Sequence, residues 1–253
     1  MPLLADQAPN TLSPAEKAAG WKLLFDGKSM KGWEDPSKKT PPGDAWTIED
    51  GCLKPLPKAT IVEDLFTLDS FGDFELQFDW RISPGGNSGF KYRIQDRVFL
   101  YPRERGQRFE DLVNRSIEQR IPKRQEKGEE YVIAFEYQVI DNDRHADAKR
   151  GPKYQAGALY DLVPAATPQS KPVGEFNHSR IVLRNGHVEH WLNGVKVVDT
   201  DLIEGAKGAS RRWGPDSTVY KLLSGQPKKR TRLSLQNHGD EAWFRNIKIR
   251  ELK

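Results

Sequence analysis

The chain has 253 residues, with 40 Lys and Arg against 36 Asp and Glu, and a net charge of +4. Because acids and bases are interleaved, this excess does not form the single-sign field that binds nucleic acid, and we expect no nucleic-acid partner. No apolar run approaches the roughly 20 residues of a membrane helix, so we expect no membrane span. The single cysteine, Cys52, excludes an internal disulfide.

Residues 1–20 are predicted to form a loose arm with a short helix. Ser13 precedes Pro14 and stands three residues before Glu16, a pattern typical of a capped helix start. The first residues lack the apolar segment of a secretory signal. This indicates either a cytoplasmic protein or an exported one whose signal peptide is absent from this sequence.

From Trp21 onward the pattern predicts one all-β domain that extends to residue 253. Alternating apolar residues and turn signals predict short strands, with Asn-Gly turns that are typical of hairpins. Such spacing is typical of a two-sheet antiparallel sandwich whose first and last strands pair. The predicted strands are 46–53 as a hairpin, 74–82, 87–94, 135–141, 158–160, 179–184, 187–192, 195–199, 231–237 and 243–252.

Two segments depart from the strand pattern. Residues 95–131 are rich in charged side chains, and residues 108–119 have helical apolar spacing, so we expect a partly helical insertion between two strands. Residues 200–230 are predicted to be a long, basic, irregular loop.

Polar side chains share one face of the predicted central strands. Glu136 and Gln138 alternate with Tyr137 and Val139, and side chains on a strand alternate between faces. The same alternation places Lys91 with Arg93 and Ser234 with Gln236. If these strands lie in one sheet, they form a polar cleft typical of carbohydrate sites. The alternative is an outer face with ordinary salt bridges.

Two ordered blocks are the most distinctive in the chain, Gly85–Arg93 and Glu136–Asp141. Further blocks keep a fixed order between about Trp21 and Leu252, and together they resemble the 3-keto-disaccharide hydrolase family. Two features depart from that family, which usually has Trp at the position of Phe176 and lacks the 95–131 insertion. The further blocks are Leu24–Gly27, Gly32–Trp33, Phe71–Leu76, Gly157–Tyr160, Gly174–Asn177, His190–Gly194, Leu235–Gly239 and Phe244–Ile247.

The resemblance implies a concanavalin A-like jelly roll and a small carbohydrate substrate. It also implies bacterial sugar metabolism outside the cytoplasm, so we expect a periplasmic or secreted protein. The implied reaction is the cleavage of glycosides oxidised at C3. Nothing in the sequence indicates an oligomeric state.

The residue types favour elimination over ordinary glycoside hydrolysis. Conventional glycosidases use two carboxylates, whereas this strand offers Glu136 followed by the amide Gln138. A 3-keto group acidifies the C2 proton, so one base could remove it and the C1 substituent could leave. Such a route requires a base, a group that stabilises the enolate, and an acid for the leaving oxygen.

We therefore predict Glu136 as the base, with Arg93, Lys91 or a bound cation stabilising the enolate, and His238 or His145 as the acid. Asp141 and Tyr160 lie in matching blocks and are also predicted to contact substrate. A divalent cation is a candidate cofactor, with Glu136, Asp141, His145 and His238 as available ligands. The predicted catalytic residues are Glu136, Arg93 and His238, and the predicted substrate-binding residues are Asn87, Lys91, Gln138, Asp141, Tyr160 and Gln236.

Two other functions fit the same sandwich. A carbohydrate-binding module without activity would use the same amides and cations, and a structural or interaction domain would use none of them. The number of polar positions kept from the enzyme family favours the enzyme.

Overall fold

A computed structural model describes residues 8–36, 40–41, 43–100, 128–167, 170–210 and 214–252. Within them no helix is long and apolar enough to cross a membrane. The helices are α1 Pro14–Ala18, α2 Leu202–Ala206 and α3 Thr218–Ser224. The strands are β1 Lys22–Leu23, β2 Trp33–Glu34, β3 Trp46–Glu49, β4 Cys52–Pro55, β5 Ile61–Val62, β6 Leu65–Thr67, β7 Phe74–Ile82, β8 Asn87–Leu100, β9 Gly128–Ile140, β10 Asn177–Arg184, β11 His187–Leu192, β12 Val195–Asp201, β13 Ser234–Leu235 and β14 Ala242–Glu251.

The strands form two sheets, which confirms the predicted sandwich. The back sheet has the order β12-β11-β10-β7-β14-β4-β3, with β1 added beside β14. The front sheet has the order β2-β6-β13-β8-β9-β5. Among the described strands, all pairings are antiparallel except that of β5 with β9, which is parallel. The predicted pairing of the first and last strands is confirmed, because Lys22 lies opposite Ile249.

Aromatic side chains from the facing sheets form the core. Phe78 of the back sheet lies 4.8 Å from Phe90 of the front sheet, measured between ring centroids, and 5.5 Å from Tyr137. All three are fully buried. Because strand side chains alternate between faces, burying Phe90 and Tyr137 leaves Lys91 and Glu136 on the outer face of the front sheet. The core therefore determines which side chains line that face.

The predicted hairpin turns have the required backbone geometry. Asn185 and Asn193 have φ of 52° and 49°, and Gly186 and Gly194 after them both have φ of 85°. Positive φ at both central residues defines the type I′ turn that suits a two-residue hairpin. These turns determine the register of β10, β11 and β12 in the back sheet.

Two loop predictions need correction. Residues 200–230 are not irregular throughout, because they contain α2 and α3, which are capped by Asp201 and Ser217. At the predicted insertion, β8 continues to Leu100 and β9 begins at Gly128, so the strands extend into residues 95–131. The helix predicted over 108–119 lies outside the described residues and stays a prediction.

A bulge in β8 overturns the predicted pairing of Lys91 with Arg93 on one face. Tyr92 lies opposite Phe135 and Asp96 lies opposite Ile133, so residues 93–95 of β8 oppose only Ala134 of β9. Arg93 has φ of 52°. The extra residues break the two-residue alternation, as bulges do, and turn the Arg93 side chain away from Lys91.

Candidate active site

A cleft of about 250 Å³ lies on the outer face of the front sheet. Its polar floor comes from β8, β9 and the segment after β13, through Asn87, Lys91, Glu136, Gln138 and Gln236. His238 and Tyr160 also line it. The predicted convergence of these side chains in one cleft is therefore present in the structure.

Glu136 and Lys91 are neighbours on adjacent strands. Their Cα atoms are paired across β9 and β8, so their side chains project from the same face. Gly89, the next β8 residue on that face, leaves space for the glutamate. A Cβ atom at Gly89 would lie 2.6 Å from Glu136 Cδ and 2.8 Å from Cγ. Glycine at this position is what allows the carboxylate to lie over the strand.

The surroundings of Glu136 favour a carboxyl group that titrates near neutrality. Burial raises its pKa to about 7, the Lys91 ammonium acts against this rise, and the Asp64 carboxylate adds to it. Within the described residues, no side chain donates a hydrogen bond to the Glu136 carboxylate. A poorly solvated carboxylate without donors is a stronger base than an exposed one.

Asp64 holds Lys91 in the cleft. Lys91 Nζ lies 2.9 Å from Asp64 Oδ2, and both side chains are almost completely buried. The Asn237 backbone N–H donates to Asp64 Oδ1 at 3.1 Å, and the Ser234 hydroxyl donates to Oδ2 at 3.3 Å. Burial alone would lower the pKa of Lys91, but the Asp64 and Glu136 carboxylates raise it above its usual value. Lys91 is therefore a fixed positive charge beside Glu136.

Three amides surround this charged pair. Gln138 is buried, and its Oε1 accepts a hydrogen bond from the Val139 N–H at 3.1 Å. Asn87 Oδ1 and Gln236 Oε1 are buried without a hydrogen-bond partner among the described residues. Buried acceptors without donors cost free energy, so both favour a ligand that brings hydroxyl groups.

His238 lies at the edge of the cleft near two further potential ligands. Ligand atoms of His145, His238 and Asp240 lie within 4.8 Å of one another. Two imidazoles and a carboxylate are a donor set that suits zinc or another transition metal. The His145 Nδ1 already accepts the Asp147 N–H at 3.1 Å, which leaves Nε2 as its outward nitrogen. The structure thus brings together His145 and His238, the two predicted histidine ligands. The carboxylate beside them is that of Asp240 and not that of Asp141, which was predicted.

Tyr160 faces the cleft from the loop beside β9. Its backbone N–H donates to the Glu136 carbonyl at 3.0 Å, which ties the loop to the strand that carries the candidate base. The phenol donates to Asp147 Oδ2 at 2.5 Å, and Asp147 also pairs with Arg150. Tyr160 is therefore held in place from both ends.

Two predicted site residues lie elsewhere. Arg93 Nη2 pairs with Asp73 Oδ1 at 2.8 Å, and its side chain lines a separate cavity with Asn185 and Lys229. Asp141 is buried, and its carboxylate accepts N–H groups from Gly85 at 2.7 Å and from Asp143 at 3.0 Å. The bulge explains the first displacement. The second follows from strand alternation, which directs Asp141 to the face opposite Glu136.

Sequence reasoning missed Asp64 and Asp147, which hold cleft residues in place. Asp64 lies between β5 and β6, and Asp147 lies in the polar loop after β9. Neither position has a motif or spacing that indicates its partner, because both contacts join distant segments. A weak signal existed only for Asp64, a carboxylate directly before the apolar residues Leu65 and Phe66.

The fold and the cleft define a β-sandwich protein with a polar cleft, in which the carboxylate of Glu136 lies beside the ammonium of Lys91. Residues 20–250 match the model of the 3-keto-alpha-glucoside-1,2-lyase-like domain, and the chain belongs to that family. A 3-keto-disaccharide hydrolase from Bacteroides thetaiotaomicron is 33% identical, with 93% of this chain and 79% of the relative covered.

Solved structures agree with this assignment. A crystal structure from Parabacteroides distasonis, assigned to the glycosyl hydrolases, is 28% identical and superposes with a TM-score of 0.69. The match covers 97% of this chain and all of the other. A second structure from the same organism, with the same assignment, is 26% identical with a TM-score of 0.61, and covers 92% of this chain and 99% of the other.

Proposed function

We propose that the protein cleaves glycosidic bonds of 3-keto sugars by removing the C2 proton and eliminating the C1 substituent. The observation that carries this proposal is the pairing of Glu136, whose pKa is raised to about 7, with the fixed ammonium of Lys91. A base near neutral pH and an adjacent cation are what the formation of an enolate requires. The names of the family and of the Bacteroides relative support the same chemistry.

In the first step Glu136 takes the proton from C2, and the C2 electron pair moves toward the C3 carbonyl to form an enolate. Lys91 stabilises the negative charge on the C3 oxygen. The enolate then expels the C1 oxygen as a C1–C2 double bond forms. The leaving oxygen takes a proton that His238, which lines the cleft, supplies through cleft water.

In the second step water adds to C1 of the enone, the proton that this water loses returns to His238, and C2 regains a proton from Glu136. The sum of both steps is hydrolysis, which reconciles a lyase-type first step with a hydrolase as the overall reaction. Asn87, Gln138 and Gln236 are placed to orient the sugar hydroxyls. A second carboxylate is not required, in agreement with the amide at position 138.

The decisive experiment is turnover of 3-keto disaccharides in D₂O by the wild type and by Glu136→Gln. We expect the wild type to release 3-keto-glucose that carries deuterium at C2, because the proton that Glu136 removes exchanges with D₂O before C2 is protonated again. Glu136→Gln should lose at least about 10²-fold in kcat/KM, the usual contribution of a general base. Product that keeps its C2 proton, together with the absence of a primary kinetic isotope effect for substrate deuterated at C2, would refute elimination.

The same assay separates the enzyme from a binding module. If the wild type binds 3-keto disaccharides and releases no sugar, the protein is a carbohydrate-binding module and the proposal is wrong. Full activity of a folded Glu136→Gln variant would instead assign the base to another residue.

A further inference from the structure

The cleft changes from polar to apolar along β9. Gln138 and Glu136 lie on its outer face, and the preceding residues on that face are Ala134 and Val132, which also line the cleft. Residues on one face of a strand are spaced by about 6.6 Å, so the apolar stretch begins roughly one sugar ring away from Glu136. A ligand bound at Glu136 would lie over this stretch if it extends toward the start of β9.

Helical segments complete the apolar half of the cleft. Val219 and Leu223 of α3 line the cleft together with Ala209, and all three are buried. Residues four apart lie on the same face of a helix, so Val219 and Leu223 form one apolar surface that faces β9. This half therefore has an apolar floor on the strand and an apolar wall on the helix.

The polar side chains that border this half already have partners. Asp161 lines the cleft, and its carboxylate lies 2.6 Å from Lys153 Nζ. Tyr131 also lines the cleft and interacts within the protein. Apart from Asp161 and Tyr131, the described residues that line this half are apolar, so a ring without hydroxyl groups would gain contacts along it, whereas most hydroxyl groups of a second sugar would lose water without an acceptor among these residues.

We propose that this apolar half binds the leaving group of the substrate, and that the preferred leaving group is an apolar or aromatic ring and not a second sugar. The inference rests on the proposed function, because that function places the bond to be cleaved at Glu136. The polar floor then binds the oxidised sugar, and α3 with β9 binds the aglycone.

Cyclohexyl 3-keto-glucoside and a 3-keto-glucosyl disaccharide are a matched pair of probes, because both leaving groups are six-membered rings that differ mainly in their hydroxyl groups. Both anomers of each are assayed with the wild type. We expect kcat/KM to be at least tenfold higher for the cyclohexyl compound. Equal values, or a preference for the disaccharide, would overturn the inference while the proposed function stands.

Calorimetric titration of Glu136→Gln with the same two compounds tests the subsite without chemistry. A dissociation constant at least tenfold lower for the cyclohexyl compound supports the inference, and equal constants overturn it. If the wild type cleaves neither compound, the proposed function fails, and this titration still decides the subsite.

Ala134→Asn places a polar group in the apolar floor, and Ala166→Asn makes the same change at an exposed position. Ala134→Asn should weaken binding of the cyclohexyl compound about tenfold and leave the disaccharide within twofold. Ala166→Asn should change neither. Equal weakening of both compounds by Ala134→Asn would show a general distortion and would overturn the assignment.

Discussion

Replacing Gly89 with alanine tests whether the position of Glu136 determines activity. The added methyl group would lie 2.6 Å from Glu136 Cδ, well inside van der Waals contact, so the glutamate has to move. Gly89 does not have positive φ, so alanine adopts its backbone conformation without strain. The substitution therefore displaces one carboxylate and leaves the strand intact.

The two expected effects differ greatly in size. A misplacement of the reacting group by about 1 Å costs about 10²-fold in rate, so kcat/KM should fall by about that factor. Overpacking costs about 1 kcal/mol when a flexible side chain can move, and this is partly offset by the lower entropy of the unfolded chain with alanine. The free energy of unfolding should therefore change by less than about 1 kcal/mol.

Steady-state kinetics with a 3-keto disaccharide and urea unfolding measure the two effects. Gly43→Ala is the matched control, because a Cβ atom there meets nothing within 4 Å. It should leave both measurements unchanged. Wild-type kcat/KM in a folded Gly89→Ala variant would refute the role of the Glu136 position.

Three further predictions concern pH and the displaced arginine. Because the pKa of Glu136 is raised to about 7 and the base acts ionised, kcat/KM should rise with pH from 5 through about 7; a flat profile over this range would contradict this. Burial lowers the pKa of His190 to about 4, so as the pH falls from about 6.5 to 4 this side chain is protonated in the unfolded state before it is protonated in the folded state. This difference lowers the free energy of unfolding by about 3 kcal/mol over that range. The raised pKa of Glu136 changes stability in the opposite direction over this range, so wild type and His190→Gln are compared by urea unfolding at pH 7 and at pH 4. Between pH 7 and pH 4, His190→Gln should lose less free energy of unfolding than the wild type. Parallel pH curves would refute the assignment. Arg93→Lys should lower stability by about 1–3 kcal/mol through its contact with Asp73 while kcat/KM stays within threefold, and a 10²-fold loss in the folded variant would place Arg93 in the reaction after all.

Local sequence patterns were sufficient to predict the structure where side chains alternate regularly along a strand or where a turn motif is present. The alternation in β9 predicted that Glu136 and Gln138 share a face and that Tyr137 lies on the other; in the structure the first two line the cleft and Tyr137 is buried in the core. The Asn-Gly pairs predicted two hairpins for a reason contained in the residues themselves, since both positions tolerate positive φ. Such features depend on neighbours along the chain.

Long-range packing decided the rest of the cleft. Asp64 holds Lys91 across 27 residues of sequence, and its local sequence does not indicate that partner. The bulge that removes Arg93 from the cleft depends on how β8 pairs with β9, and it overrides the alternation that placed Arg93 beside Lys91. Residue types and strand period therefore determined which side chains face outward, whereas pairing between strands decided which of them meet, because a contact between distant segments depends on the energy of the whole packed arrangement.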